Sequence, residues 1–127
     1  MARFTLIAGA IAAAVGVGAG AFGAHALEGS VSADRMATFE TAVLYHLIHA
    51  LALVATGLAL RSGAGPPAGW AGGAFLAGIV LFSGSLYLLV LTDTGWLGAI
   101  TPIGGVAFIA GWILLAWSVY TSATPPS

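Results

Sequence analysis

Only seven charged side chains interrupt this chain of 127 residues: Arg3, Glu28, Asp34, Arg35, Glu40, Arg61 and Asp93. Their spacing constrains the fold more than any other feature. A helix needs about 20 mainly apolar residues to cross about 30 Å of hydrocarbon. The charges leave four such runs, at approximately 4–23, 37–60, 70–91 and 102–120, with Glu40 near the start of the second. Sixty per cent of the residues are hydrophobic and 6% are charged, whereas a soluble domain carries roughly 25% charged residues. Such a chain cannot cover a surface facing water, and it is too apolar to be disordered. The runs lack the alternation of strands, and a membrane barrel needs at least eight of them. The sequence therefore predicts an all-α integral membrane protein: a single membrane domain over 1–127, folded as an antiparallel bundle of four transmembrane helices.

Local signals mark the limits of the runs. Ser62-Gly-Ala-Gly-Pro-Pro67 cannot continue a helix and separates the second and third spans. Asp93-Thr-Gly95 reads as a turn, Thr101-Pro102 as an N-cap followed by a helix-starting proline, and Ser32 as an N-cap with Asp34 in the first turn. The first run is about 20 residues, longer than the 7–15 of a secretory signal, so cleavage after Ala24-His-Ala26 is not expected. The Thr124-Pro-Pro-Ser127 tail is expected to fray. Four crossings put both termini, Arg3 and Arg61 on one side, and Arg35 with the four acidic residues on the other. The excess of basic residues assigns the termini to the cytoplasm. Trp70, Trp117 and Tyr120 would then sit at one interface and Trp96 at the other.

Nineteen glycines bear on helix packing. No hydrophobic force draws helices together in lipid, so small residues that admit close backbones take that role. Ala8, Ala12, Gly16, Gly20 and Ala24 form a small ridge on the first span, which predicts a central position for it. Gly69 with Gly73, Ala74 with Gly78, and Ala107 with Gly111 repeat the pattern. Such ridges serve packing within one bundle or, alternatively, self-association. Ser83, Ser85 and Tyr87 offer hydroxyls that can bond to a carbonyl one turn back or across helices. No Gly-x-Ser-x-Gly elbow surrounds either serine, so no catalytic residue is assigned. Gly104-Gly105 suits close backbone packing.

Ionisable groups inside a span cost roughly 2.5–3.5 kcal/mol at mid-membrane, so each needs a reason. The second span carries Glu40, His46 and His49. His46 and His49 lie about 60° apart on one face, with Ala42, Leu53 and Thr56 near it, and Glu40 lies about 120° to 180° away. His25 and Asp93 end neighbouring spans on the same side, so His25, Glu40, His46, His49 and Asp93 form the candidate polar or ligand cluster. It could hold a metal, relay protons, anchor a ligand headgroup, or tie helix ends together by hydrogen bonds, with a His25–Glu40 pair foremost. No HExxH or ExxH pattern occurs, and no metal or cofactor is assigned. The absence of cysteine excludes disulfides and thiol chemistry, and a net charge of −1 excludes nucleic acid as a partner.

Five segments carry a resemblance: Gly20-Ala-Phe-Gly-Ala-His-Ala-Leu27, Phe39-Glu-Thr-Ala-Val-Leu-Tyr-His46, His49-Ala-Leu-Ala-Leu53, Leu81-Phe-Ser-Gly-Ser-Leu-Tyr-Leu-Leu89 and Ile100-Thr-Pro-Ile-Gly-Gly105. In this order, spread over all four spans, they resemble the YgdD/YwdK-like family, small four-helix membrane proteins grouped as a domain of unknown function. The resemblance implies the bacterial cytoplasmic membrane and the same four-span bundle. It transfers no catalytic residue, although His25, Glu40 and His49 fall within the signature segments.

The leading expectation is a non-enzymatic bundle that binds a lipid-like molecule or a larger membrane complex. Its partners would be the lipid bilayer and, through the small ridges, a second copy or that complex. One alternative is a small oligomeric transporter or proton- or ion-conducting protein using Glu40, His46 and His49. Another is a metal-dependent membrane enzyme using His25, His46 and His49.

Overall fold

The structure, a computed structural model, describes residues 1–122. Among them four helices are long and apolar enough to cross a membrane, and no strand occurs. They are α1 (Ala2–Leu27), α2 (Ala33–Arg61), α3 (Pro67–Thr92) and α4 (Thr101–Thr121), the last preceded by a 3₁₀ turn at Gly95–Ala99. The 29 residues of α2 span about 43 Å, more than the hydrocarbon, so its charged ends reach the headgroup region. The fraying expected for 124–127 lies outside the described residues.

Three connections make successive helices antiparallel. Ser32 Oγ accepts the Arg35 N–H at 3.2 Å, capping α2 as its sequence suggests. Gly29 and Gly63 supply positive φ in the first two connections, and Asp93 ends α3 in the left-handed region at φ 51°. Thr101 is no cap: it lies within α4, and its hydroxyl meets Ser85 at 2.8 Å. Gly69 neighbours Met1, and Gly65 neighbours Ser118 and Thr121. Both described ends and the α2–α3 connection therefore share one face of the bundle. At the opposite face Arg35 Nε donates to Asp93 Oδ1 at 3.1 Å, joining the other two connections.

The packing follows helical registers. Gly57 faces Leu6, Gly9 faces Val54, Gly16 faces Leu47 and Gly20 faces Val43, so α1 and α2 match step for step. Between α3 and α4 the pairs are Phe75 on Gly111, Phe108 on Gly78 and Phe82 against Gly104, with Ser85 opposite Thr101. The Phe75 and Phe108 rings fill the space that a missing Cβ leaves on the facing helix, and at Gly104 the main chain of Phe82 itself takes that space.

Helices α2 and α3 hold most of the buried residues, including Phe39, Ala42, Leu53, Phe75 and Leu89. This corrects the central position expected for the first span. Only Thr5, Gly9 and Gly16 are buried on α1, which lies at the periphery. A small ridge lets one neighbour approach, but it does not set how many neighbours a helix has. Part of the ridge serves the α2 contact: Gly16 and Gly20 meet α2, as does Gly9 outside the ridge, while Ala8 lines a groove. Gly73 likewise packs against nothing within 4 Å, and Gly72, beside Thr5 and Thr56, makes the close approach.

Two π-helical turns appear that the sequence does not announce, at Ala19–Gly23 and Ile79–Ser83. In each, the N–H of the following residue bonds five residues back, Ala24 to Ala19 and Gly84 to Ile79. The second turn aims Ser83 at α2, where its Oγ donates to Ala42 O at 2.7 Å.

Candidate functional site

The α2 face bearing His46 and His49 turns inward, and both residues are 4% exposed. His46 Nε2 lies 2.8 Å from the Ala12 carbonyl of α1, and its Nδ1 lies 2.7 Å from the Tyr87 hydroxyl of α3. A carbonyl only accepts, so Nε2 carries a proton and donates; in the neutral ring Nδ1 then accepts from Tyr87. One imidazole thus bridges three helices.

His49 has the opposite tautomer. The Trp112 indole of α4 only donates, and its N–H reaches His49 Nε2 at 3.0 Å. His49 Nδ1–H then donates to Tyr45 O, one turn back, at 2.7 Å. The ring stacks on Phe108 at 3.5 Å between centroids and 10° between planes, with Phe75 and Trp112 at 5.8 Å. Its hydrogen bonds place both nitrogens in use and hold the ring neutral. Ser85 completes the set, donating to Phe82 O at 2.9 Å while it meets Thr101. Among the described residues no buried side-chain nitrogen or oxygen lacks a partner.

The remaining candidates stay at the rim that carries the α1–α2 and α3–α4 connections. His25 is exposed, with Nδ1 3.7 Å from Glu28 rather than paired with Glu40. The reason is local: Glu28 follows His25 by three residues on one helical turn. Glu40 is exposed and shares with His25 and Glu28 a shallow depression of about 350 Å³. Asp93 is engaged by Arg35. The five residues therefore do not converge, and among the described residues no three His, Asp or Glu side chains stand together as metal ligands. Each histidine chain ends on a main-chain carbonyl of Ala12 or Tyr45, which has no proton to pass on.

Sequence reasoning allowed the Tyr87 hydroxyl a bond across helices without naming His46 as its partner, and it missed Trp112 and the Ala12 carbonyl as partners, and the Arg35–Asp93 pair. A signal for two of them existed. A Tyr hydroxyl or Trp N–H deep in a span needs a partner, and the histidines are the matching acceptors.

Two apolar grooves open sideways toward lipid. One, of about 440 Å³, lies between α1 and α3 with His46 at its floor. The other, of about 500 Å³, lies between α2 and α4 beside His49 and Trp112.

An all-helical four-span bundle, with its deep polar groups hydrogen-bonded inside the protein, defines a small multi-pass membrane protein. The comparisons agree in family as well as class. Residues 19–105 match the family described as protein of unknown function (DUF423). The UPF0382 membrane protein YwdK of Bacillus subtilis (strain 168) is 53% identical over 114 residues, covering 87% of this chain and 90% of its own. A UPF0382 membrane protein of Staphylococcus aureus (strain bovine RF122) is 47% identical over 121 residues, covering 95% of this chain and 98% of its own. No solved structure matches. The chain belongs to the DUF423 (UPF0382) family of uncharacterised membrane proteins.

Proposed function

We propose that this protein is a non-enzymatic component of the bacterial cytoplasmic membrane that binds a lipid-like molecule. One observation carries the reading. His46 and His49, the most chemically capable groups at depth, have every ring nitrogen hydrogen-bonded within the protein, three of the four to another helix, while two apolar grooves face the acyl region. Proton conduction through α2 finds less support, because both relays stop at carbonyls. A metal-enzyme reading would need His25, which lies exposed beside Glu28.

A second reading, docking into a larger membrane complex or against a second copy, is favoured by α1. Its lipid side presents Ala10, Ala14 and Gly18, and open space surrounds Gly18. The orientation that fits has both termini in the cytoplasm. Arg3 and Arg61 share that end, whereas Arg35 at the other is matched by Asp93.

Purification from native membrane in mild detergent tests these readings. Stoichiometric lipid on an otherwise solitary chain supports the first, and a defined larger assembly supports the second. A bare chain with neither overturns both.

A further inference from the structure

The groove between α1 and α3 has the dimensions and lining to take an occupant. Its walls are Phe4, Ile11 and Val15 of α1 and Leu76 and Ile79 of α3. Toward the end that holds Met1 it runs into a second, more enclosed hollow of about 160 Å³. Gly69, Gly72 and Gly73 lie along that hollow, with Leu53 of α2 at its back. A Cβ on Gly73 would meet nothing within 4 Å, so the hollow is open above it.

Length and charge identify the occupant. From Gly69 to Ile79 a helix rises about 15 Å, which is half of the roughly 30 Å hydrocarbon core. The groove thus starts at the interface and stops near the bilayer midplane, the depth of a single leaflet. Its mouth lies at the end of the bundle carrying Arg3 and Arg61. All four acidic residues belong to the opposite end. Among the described residues neither Arg3 nor Arg61 forms an ion pair. Arg3 precedes Phe4 on the groove wall and is exposed.

We propose that this groove holds one acyl chain of an anionic phospholipid, with Arg3 binding its phosphate headgroup. This rests on the lipid-binding reading above and names its site and ligand class. The apolar walls take the chain, and the unpaired guanidinium selects the headgroup charge.

Native mass spectrometry of the detergent-purified protein tests it, with dioleoyl phosphatidylglycerol and dioleoyl phosphatidylcholine supplied together. The wild type should retain one phosphatidylglycerol, in at least fivefold excess over phosphatidylcholine. Arg3→Gln should lower that preference about fivefold, the weight of one cationic side chain at a membrane surface, while some chain binding persists. Gly73→Phe should fill the hollow and cut retention of both lipids. Ile11→Trp, on the exposed wall, should do the same and serves if Gly73→Phe loses its helical circular dichroism. Equal retention of the two lipids by wild type overturns the headgroup assignment. Undiminished retention in folded Gly73→Phe or Ile11→Trp overturns the groove while lipid binding itself stands. Failure of the wild type to keep either lipid overturns the broader reading as well.

Discussion

The α3–α4 interface makes a sharp test, because a glycine closed within it and a glycine of α3 that lies outside it should respond differently. A Cβ on Gly104 would collide with the Phe82 main-chain nitrogen and lie 2.7 Å from Phe82 Cα. These atoms belong to a helix backbone and cannot swing aside. Restoring ordinary contact with both atoms requires α4 to move away by roughly 1 Å, and gaps of 0.5–1 Å forfeit about a quarter to a half of each van der Waals well. Phe75 on Gly111 and Phe108 on Gly78 share that interface and lose contact together. Overpacking of this kind costs about 1–3 kcal/mol. Stretching the Ser85–Thr101 bond, one turn away, adds about 0.6 kcal/mol. Replacing glycine in a helix returns at most about 1 kcal/mol. Gly104→Ala should therefore lower stability by about 1–3 kcal/mol. Gly73→Ala, with open space around it, should be neutral or slightly stabilising. Reversible unfolding in mixed micelles with rising dodecyl sulfate, followed by the four tryptophans, gives both values. If the two variants agree within about 0.5 kcal/mol, steric closure at Gly104 is not what joins α3 to α4.

The other predictions concern the polar joints and the topology. In a His46→Phe, Tyr87→Phe double-mutant cycle the coupling should fall near 0.6–1.7 kcal/mol, the range for hydrogen bonds between helices in membranes; a coupling of zero removes the joint. His49→Phe should leave the Trp112 N–H without its acceptor and shift the emission of a protein whose other tryptophans, Trp70, Trp96 and Trp117, are Phe; an unchanged spectrum argues against that bond. Arg35→Gln should cost no more than about 1 kcal/mol, because its partner Asp93 is 83% exposed, and a larger loss in the same unfolding assay would show that the pair is shielded from water. In right-side-out cells an impermeant maleimide should label Ser30→Cys and spare Ser62→Cys; the reverse pattern inverts the proposed orientation.

The number of helices and the turns were legible in the sequence for one reason: lipid penalises charge at depth, so seven charges mark where helices cannot be buried in hydrocarbon. The α2 cap was legible too, because Ser32 and Arg35 are local neighbours. Helix order was harder to read. Small residues show where two backbones can approach, and α1 is rich in them, yet it is peripheral. The better guide is polar content. Hydroxyls and imidazoles at depth need protein partners, so α2 with His46, His49 and Thr56, and α3 with Ser83, Ser85 and Tyr87, take the centre. Among the few polar side chains of α1, only Thr5 is buried, and its hydroxyl bonds to its own helix at Met1 O.

The same argument explains why the candidate cluster does not come together. His25, Glu40 and Asp93 sit within reach of the headgroup region, where water can satisfy them without help from the fold. They were drawn together only because topology gave them one face of the membrane. His46 and His49 lie deeper, where each proton and lone pair must find protein, and that requirement splits them. One ring turns to α1 and α3, the other to α4. Their opposite tautomers follow from the partners available: a carbonyl fixes a proton on His46 Nε2, and an indole N–H keeps one off His49 Nε2. A histidine pair on one helical face resembles a site in sequence, but its meaning depends on what the other helices present. Here the partners are groups that lock a ring in place, which supports the proposal that lipid is met on the apolar flanks rather than at the histidines.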